Sequence, residues 1–428
     1  MSIPKRTLSV LAGLFIFAMT LILFTASQPK KAHAQEIELT VAVLSGTIKY
    51  HKQIAEQFMK DNPNIQIKFN AQFGEYDELV QQTIRDSLIN AQPDVGFYGL
   101  FTIPTLIDRK LAQPLDPFIS NEKSWSEMGY NASMLSIGHF GKSQYGIPFS
   151  VSLPVVFYNP KLVAAAGGDP DNFPKSWDDV ISLGVKINAL GKDTSGLFIR
   201  MDDLWIFQAL VFEQGGAMMN NDESQVAFDD DGTGQRAIDI LYAAGKKAGM
   251  PAMTYNQARQ QFSAGKLGIL VASSAIAEGL MRNIASGSFE ARAAHFPDLK
   301  ANSKLPGGGN AAVMLSTDPK KQNAAWKYIK YATGPIGQNT MVRSTGYMAS
   351  NSIAVNTFEL LGEFYKQKPI HLIAIDQIDT TTKWYAFPGK NAIEIDNVAT
   401  QMLLDVIYGR LAPDKALSKI VTEIEKRL

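Results

Sequence analysis

Residues 37–58 read IELTVAVLSGTIKYHKQIAEQF, and this stretch contains two different hydrophobic periods. The first part, Ile37–Val43, moves from alternating to continuously apolar residues, as in a buried strand. Ser45-Gly46 interrupts this run, after which Tyr50, Ile54 and Phe58 recur at the spacing of one face of a helix. The stretch therefore predicts a strand, a loop and a helix in that order.

The same alternation continues further along the chain. Ile65–Phe69 reads as a second strand, Tyr76–Asn90 as a second helix and Asp94–Tyr98 as a third strand. Strands that alternate with helices predict a parallel sheet. Because open parallel sheets bind ligands beyond the carboxyl ends of their strands, Ser45-Gly46 and Tyr98-Gly99 are candidate site positions, although both also read as ordinary turn residues.

The chain has 428 residues, which favours two hydrophobic cores because single cores stop growing at roughly 250 to 300 residues. We predict an α/β fold of two lobes, each a largely parallel sheet flanked by helices, with a ligand cleft between them. The Pro-bracketed, β-rich stretch 146–159 is expected to cross between the lobes. The predicted division is a first lobe at 35–149 with a return segment near 308–350, and a second lobe at 150–307 with closing helices at 351–428.

Composition excludes several classes of function. Lys plus Arg and Asp plus Glu each number 41, so no basic surface for nucleic acid is expected. The chain contains 0 cysteines, which excludes disulfides, thiolate nucleophiles, Cys-ligated metals and a lipid anchor on cysteine. We expect no metal and no cofactor.

The N-terminus has the three regions of a signal peptide. Lys5-Arg6 precedes an apolar stretch from Leu8 to Phe24, and Ala32-His33-Ala34 supplies small residues for cleavage. We predict a signal peptide at 1–34; a retained signal anchor is the alternative, because the apolar stretch approaches the roughly 20 residues of a spanning helix. The mature chain is expected to be a monomer in a Gram-negative periplasm and not to span a membrane.

No catalytic motif is visible. His51, His139, His295 and His371 are scattered without ligand spacing, and neither H-E-x-x-H nor G-x-S-x-G occurs. We therefore expect no enzyme activity and no catalytic residues. A secreted glycan-processing enzyme remains the alternative from another class, because a pair of hydrolytic carboxylates meets only in the folded chain.

Several segments in order resemble the family 1 extracellular solute-binding proteins of ABC carbohydrate importers, the group with maltose-binding and glycerol-3-phosphate-binding receptors. The resemblance covers most of the chain after residue 34. It implies two α/β lobes, capture of a small polar solute by hinge closure, and delivery to the transmembrane subunits of an ABC permease. The segments that carry it are Ile147–Asn159, Pro174–Asp179, Phe262–Lys266 with Ala272–Ser274, Pro306–Gly309 and Ser344–Tyr347.

Within that resemblance, five positions look like solute contacts of the glycerol-3-phosphate type: Tyr76, Ser152, Ser274, Gly308 and Tyr347. Trp205 is added on chemical grounds, because aromatic rings pack on the apolar faces of sugars. Each also has a purely structural reading, namely a core aromatic or a hydroxyl bonded to the backbone.

The chain departs from the glycerol-3-phosphate receptors at the position of their phosphate-binding Arg. Where glycerol-3-phosphate receptors have a late Arg, this chain has Asp396, and a carboxylate there would repel a phosphate. A neutral sugar, polyol or sugar derivative is therefore the predicted solute. Glycerol 3-phosphate or a glycerophosphodiester is the alternative, with Lys390, Arg343 or Arg200 as substitute cations.

Overall fold

The computed structural model describes residues 36–389 and 391–428. The predicted signal peptide at 1–34 and the side chain of Lys390 lie outside this part of the chain. Within the described ranges, no helix combines the length and the apolar composition needed to cross a membrane.

The first sheet has five strands, and its three N-terminal strands are the ones predicted from residues 37–98. They are parallel to one another, with Ile37 opposite Ile65 and Val41 opposite Val95. The strand Gly308–Met314, from late in the chain, lies between Val95–Gly99 and Gly146–Ser152 and is antiparallel to both. The strand order across the sheet is Ile65–Asn70, Ile37–Ala42, Val95–Gly99, Gly308–Met314 and Gly146–Ser152.

The second sheet has four strands, and the chain enters it directly from the first. Gly146–Ser152 belongs to the first sheet and Pro154–Tyr158 to the second, so only Leu153 separates them. Both strands are buried along their whole length. The stretch 146–159 therefore passes from one sheet to the other, and its role as a crossing between lobes stays a prediction. The order across the second sheet is Arg292–Ala294, Pro154–Tyr158, Leu267–Ser273 and Ser195–Ile199.

A second connection between the two regions is a short ladder in which Leu305–Pro306 pairs with Thr381–Thr382. A separate two-strand ladder joins His139–Phe140 to Ser143–Gln144. Helices surround both sheets, and the mixed α/β class predicted from the sequence is confirmed. The α-helices are Ile48–Asp61, Tyr76–Ser87, Ile103–Asp108, Asp116–Ser120, Ala132–Ser136, Pro160–Ala165, Trp177–Asn188, Trp205–Phe212, Thr233–Lys246, Tyr255–Ser263, Ala277–Asn283, Pro319–Thr333, Pro335–Ser344, Ser352–Asn356, Glu363–Gln367, Leu372–Ile375, Ala392–Ile407 and Pro413–Glu425.

The start of the helix Trp177–Asn188 is determined by the residues around it. Ser176 accepts a hydrogen bond from the Asp179 backbone N–H, and Asp178 and Asp179 place negative charge at the positive end of the helix. Trp177 is fully buried, and its indole N–H donates to Glu213 Oε1 at 2.9 Å. Trp177 is therefore a residue of the hydrophobic core.

Two hydrophobic clusters underlie the two sheets. One contains Phe97, Phe149 and Tyr328. The other contains Trp177, Phe207 and Leu270 and also extends to Leu79 and Tyr98 in the region of the first sheet. We propose that the two sheets with these clusters are the two predicted lobes, whose boundaries stay a prediction.

The C-terminal region divides between the two clusters. Leu361, Phe364 and Tyr365 pack in the first cluster, whereas Leu403 and Ile420 pack in the second. We therefore propose that the helices up to Gln367 belong with the first lobe and that only the later part of 351–428 closes the second.

Candidate functional site

Four of the predicted site residues meet where the chain crosses between the sheets. Ser152 ends its strand opposite Gly308, and a Cβ on Gly308 would lie 3.0 Å from Ser152 Oγ and 3.1 Å from the Trp205 ring. Ser274 accepts a hydrogen bond from the Leu153 backbone N–H at 3.2 Å. Because Gly308 has no side chain, the Trp205 ring and the Ser152 hydroxyl can approach its backbone this closely.

Trp205 lies beneath this crossing. Its side chain is 1% exposed, and its indole N–H donates to the Pro306 carbonyl at 3.0 Å. The N–H is therefore satisfied by the protein, so the ring can offer a solute only an apolar edge or face. Trp205 can be both a core residue and a site residue. Its N–H bonds to Pro306 in the second connection, and its ring lies beside Gly308.

Tyr76 begins the helix Tyr76–Ser87 on the first-sheet side of the crossing. Its hydroxyl oxygen accepts a hydrogen bond from Asn310 Nδ2 at 2.9 Å. The ring covers Gly99, where a Cβ would lie 2.9 Å from it. The end of the third strand, which the topology rule singled out, therefore supports the Tyr76 ring rather than serving only as a turn.

Tyr347 follows the helix Pro335–Ser344 and is partly buried. Its ring lies 3.2 Å from where a Cβ on Gly309 would be, and Gly309 has a φ of +108°, a conformation that favours glycine. Burial raises the pKa of Tyr347, and the Arg200 guanidinium lowers it. Tyr347 also raises the pKa of Tyr76, which places the two phenols near each other.

Arg200 follows the strand Ser195–Ile199 and is the cation nearest these tyrosines. Its guanidinium carbon lies 5.5 Å from the ring centroids of both Trp205 and Tyr255. The side chain is 15% exposed and pairs with Asp202 at 2.6 Å and with Asp203 at 2.5 Å. Arg200 therefore stacks between two rings with its charge already countered by two carboxylates.

Asp396 projects from the helix Ala392–Ile407 toward the start of the Trp205 helix. One of its carboxylate oxygens accepts a long hydrogen bond of 3.4 Å from the Leu204 backbone N–H. Burial raises the pKa of Asp396 to about 7, and the negative charges of Asp203 and Asp77 act in the same direction. The Leu204 backbone N–H and the Arg200 guanidinium act in the opposite direction and lower the pKa of Asp396.

An aromatic row connects the two sides of the crossing. Ring centroids are 6.5 Å apart for Tyr76 and Phe101, 4.6 Å for Phe101 and Trp384, and 6.1 Å for Trp384 and Trp205. Sequence reasoning missed Phe101 and Trp384. Phe101 lies two residues after the singled-out Gly99, and Trp384 lies in the aromatic run 384–387, so both positions carried a usable signal.

We propose that the residues of this region form two facing walls of the predicted ligand cleft. The first wall consists of Tyr76, Asp77, Phe101, Asn310 and Tyr347. The second wall consists of Arg200, Asp202, Asp203, Trp205, Tyr255, Trp384 and Asp396.

Several other charged side chains are engaged in contacts of their own. Asp94 pairs with Lys321 at 3.0 Å, and Glu278 pairs with Lys368 and His371 at 2.7 and 2.9 Å. Arg343 is exposed and donates to the Leu360 carbonyl. Of the substitute cations, the structure brings Arg200 to the cleft and leaves Arg343 outside it.

Comparison with known proteins agrees with this architecture. A family model described as "Bacterial extracellular solute-binding protein" matches residues 45–339. The sn-glycerol-3-phosphate-binding periplasmic protein UgpB of Escherichia coli K12 is 22% identical over 395 residues, which cover 86% of each chain.

Two solved structures share the fold at low sequence identity. UgpB from Mycobacterium tuberculosis in complex with glycerophosphocholine has a TM-score of 0.79 at 19% identity and covers 92% of this chain and 98% of its own. The sugar-binding protein MalE from Xanthomonas citri has a TM-score of 0.77 at 15% identity, with coverage of 91% and 96%. The fold, with two sheets joined by a crossing segment, is thus the same as the fold of these two solute-binding proteins. This chain belongs to the bacterial extracellular solute-binding protein family.

Proposed function

We propose that the protein is the periplasmic receptor of an ABC importer and captures a small carbohydrate, polyol or sugar derivative. The single observation that carries this proposal is the aromatic row from Tyr76 to Trp205, which connects the two walls. Sugars present an apolar face to aromatic rings and hydroxyls to polar groups at the rim. Tyr347, Ser152 and Asn310 supply such groups around the row.

The proposal also implies that the protein is exported across the inner membrane and that it has a macromolecular partner. A receptor of an ABC importer works outside the inner membrane, which agrees with the signal peptide predicted at 1–34 and with a Gram-negative periplasm. Its macromolecular partner is the pair of transmembrane permease subunits, to which the closed, solute-bound monomer docks. Closure about the two connections at Leu153 and at Leu305–Pro306 is the proposed conformational change.

Capture without turnover is part of the proposal. A glycan-processing enzyme needs two carboxylates that flank the scissile bond, and Asp77 with Asp396 would be the candidate pair among the wall residues. The direct control is to incubate the protein with each oligosaccharide that it binds and to analyse the products. Intact oligosaccharide supports a receptor, whereas release of shorter sugars would support the enzyme alternative.

A second candidate solute is a glycerol phosphate or glycerophosphodiester. Arg259 lies with its guanidinium carbon 5.7 Å from the Tyr255 ring centroid. Among the described residues, neither Arg259 Nε nor Tyr255 Oη has a hydrogen-bond partner, although both are shielded from solvent. Two unpartnered donors beside Arg200 favour an anionic acceptor at this end of the cleft.

A thermal-shift screen followed by calorimetry tests the proposal. The chain from Gln35 onward is screened against neutral sugars, polyols, glycerol phosphates and glycerophosphodiesters. A ligand present at a hundredfold its dissociation constant stabilises the folded protein by about 2.7 kcal/mol. Hits among sugars or polyols support the main proposal, and hits confined to phosphate esters support the second candidate. No hit in any group would argue against a receptor for these solutes.

A further inference from the structure

Two buried polar side chains oppose each other in the first sheet, close to the crossing. Ser150 of the strand Gly146–Ser152 pairs with Asn310 of the strand Gly308–Met314. Ser150 is 0% exposed and Asn310 is 2% exposed. Directly opposed residues of an antiparallel pair carry their side chains on the same face of the sheet, with Cβ atoms roughly 5 Å apart. A single small group can therefore contact both side chains.

This pair lies on the same face of the sheet as two of the predicted site residues. Ser152 follows Ser150 by two residues and pairs with Gly308, and the pairing is continuous from there to Asn310. A Cβ on Gly308 would lie 3.1 Å from the Trp205 ring. Because side chains two residues apart in a strand share a face, the pair of Ser150 and Asn310 lies about 7 Å along the sheet from the Trp205 contact.

Tyr76 of the first wall fixes the orientation of the Asn310 amide. Asn310 pairs on its other side with Gly99, whose lack of a side chain leaves room for the Tyr76 ring. Asn310 Nδ2 donates a hydrogen bond to Tyr76 Oη at 2.9 Å. The carbonyl oxygen Oδ1 of the same amide is buried and has no hydrogen-bond partner among the described residues. The amide therefore presents an acceptor that no described group of the protein uses.

The Ser150 hydroxyl is also buried and has no hydrogen-bond partner within residues 36–389 and 391–428. A neighbouring serine shows the ordinary arrangement, since Ser350 is 2% exposed and its Oγ donates to the Pro148 carbonyl at 2.8 Å. Buried polar atoms are nearly always hydrogen-bonded, because an unpaired atom has lost its bonds to water without replacement. Two unpaired atoms on opposed residues can both be satisfied by one polar group placed between them.

We propose that Ser150 and Asn310 determine specificity in the receptor by binding one hydroxyl group of the solute. The solute hydroxyl donates to Asn310 Oδ1 and accepts from the Ser150 hydroxyl, because an alcohol can do both at once. An ionised carboxylate or phosphate oxygen has no proton to donate to Oδ1, so this position takes the alcohol end of a sugar, polyol or glycerol phosphate. This inference rests on the proposed receptor function and adds which group of the solute the first wall binds.

The test begins with solutes that differ by one hydroxyl. Calorimetry compares D-glucose and D-galactose with each of their monodeoxy derivatives, and glycerol 3-phosphate with 1,3-propanediol monophosphate and 1,2-propanediol 1-phosphate. We expect the loss of one particular hydroxyl to weaken binding about tenfold or more, because Asn310 Oδ1 then stays unpaired in the complex. If every parent solute fails to bind, the receptor function proposed for these solutes fails and this inference with it. Binding that no single deoxygenation weakens overturns this inference alone.

Variants then assign the hydroxyl to this pair. Ser150→Ala and Asn310→Leu should each weaken binding of the parent solute about tenfold. In each variant the same deoxy derivative should lose clearly less affinity relative to its parent than it does in the wild type, because the two groups act on one contact. Ser150→Ala should leave the melting temperature of the free protein unchanged or raise it, since the hydroxyl that it removes has no partner.

Ser350→Ala is the matched control, because it removes a buried serine hydroxyl that does have a partner. It should lower the melting temperature by about 2 °C and leave the affinity within about twofold of wild type. A Ser150→Ala variant that behaves like this control, with lower stability and unchanged affinity, would show that the Ser150 hydroxyl bonds inside the protein through a buried water. That result, or an unchanged penalty for the deoxy derivative in both variants, would overturn the inference.

Discussion

The two walls of the cleft differ in their chemistry. Three polar side chains of the first wall, on Tyr76, Asn310 and Tyr347, are uncharged, and Tyr76 and Asn310 are joined by a 2.9 Å hydrogen bond. The second wall groups Arg200 with Asp202, Asp203 and Asp396, and burial with like charges raises the pKa of Asp396 to about 7. Apart from Asp77, the first wall therefore offers uncharged groups that can orient hydroxyls, whereas the second wall carries most of the charged side chains.

This difference has an energetic consequence for the free protein. A neutral hydrogen bond holds its geometry without a solute, whereas a carboxylate near other carboxylates destabilises the fold until a compensating charge arrives. Changes in the second wall should therefore alter both stability and binding, and changes in the first wall should alter mainly binding. The predictions below test this distinction.

The largest effect is expected from Arg200→Met. The substitution removes the cation that counters Asp202 and Asp203 while keeping an unbranched side chain between two rings. Because a partly buried carboxylate left unpaired is costly, the free energy of unfolding should fall by about 3 kcal/mol. Denaturant unfolding measures this change, and calorimetry should show that solute binding is weakened about a hundredfold or more.

Two further variants serve as controls for that result. Arg200→Lys retains the charge but not the planar stacking, so it should be intermediate. The double variant Arg200→Met with Asp203→Asn should recover part of the lost stability, because one unpaired charge is gone. A single Arg200→Met variant as stable as the wild type would show that the charges of the second wall are not coupled as described.

Asp396→Asn should stabilise the free protein, with a defined pH dependence. The raised pKa means that the folded state binds a proton that the unfolded state releases between pH 3.8 and about 7, so stability is lost as pH rises through this window. That interval corresponds to about 4 kcal/mol, which partial exposure to solvent reduces to roughly 2 kcal/mol. Asn keeps an acceptor for the Leu204 N–H.

Unfolding of wild type and Asp396→Asn is compared at pH 4 and pH 8. The two should be nearly equal at pH 4, and the variant should be more stable at pH 8. A constant difference at both values would indicate a packing effect instead of the loss of a charge.

In the first wall, Tyr76→Phe should weaken binding about tenfold and leave stability within about 0.5 to 1 kcal/mol of wild type. The ring remains over Gly99, but the acceptor for Asn310 Nδ2 is lost, so the amide is no longer held in one orientation. Tyr76→Ala, which also removes the ring, should weaken binding further. Unchanged affinity in both variants would remove Tyr76 from the site.

The smallest effect is expected from Ser274→Ala at the crossing. Ser274 Oγ accepts from the buried Leu153 N–H at 3.2 Å, so its removal should lower the free energy of unfolding by about 1 kcal/mol. Binding should change less than in Tyr76→Phe, because the hydroxyl is engaged with the connection between the sheets. Thermal melting and calorimetry on the same preparation give both values, and a larger loss of binding than of stability would assign the hydroxyl to the solute.

Local pattern predicted the elements on which the site is built. The strands at 37–43, 65–69 and 94–98 and the crossing at 146–159 follow from hydrophobic period and proline placement, which depend only on neighbouring residues. Of the predicted site residues, Gly308 pairs with Ser152 and lies beside the Trp205 ring, and Tyr347 lies close enough to Tyr76 to raise its pKa. Their role in binding stays a prediction.

Residues whose neighbours in the fold come from distant segments of the chain could not be predicted from local pattern. Asp77 was visible only as an acidic residue in the first turn of a helix, where carboxylates are common. Phe101 and Trp384 are far apart in the chain, and only the fold brings their rings to 4.6 Å. Arg200 was noted as one of three cations, and the structure alone distinguishes it from the exposed Arg343.

The sequence by itself determined the alternation of strands and helices, the crossing between two sheets and the family resemblance, because these depend on short-range periodicity and on motif order. Only the tertiary structure decided that Arg200 stacks on Trp205 and Tyr255 and that the rings of Tyr76, Phe101, Trp384 and Trp205 form one row. Coulomb energies and ring contacts depend on distance in space, and chain topology alone sets that distance for residues from separate segments.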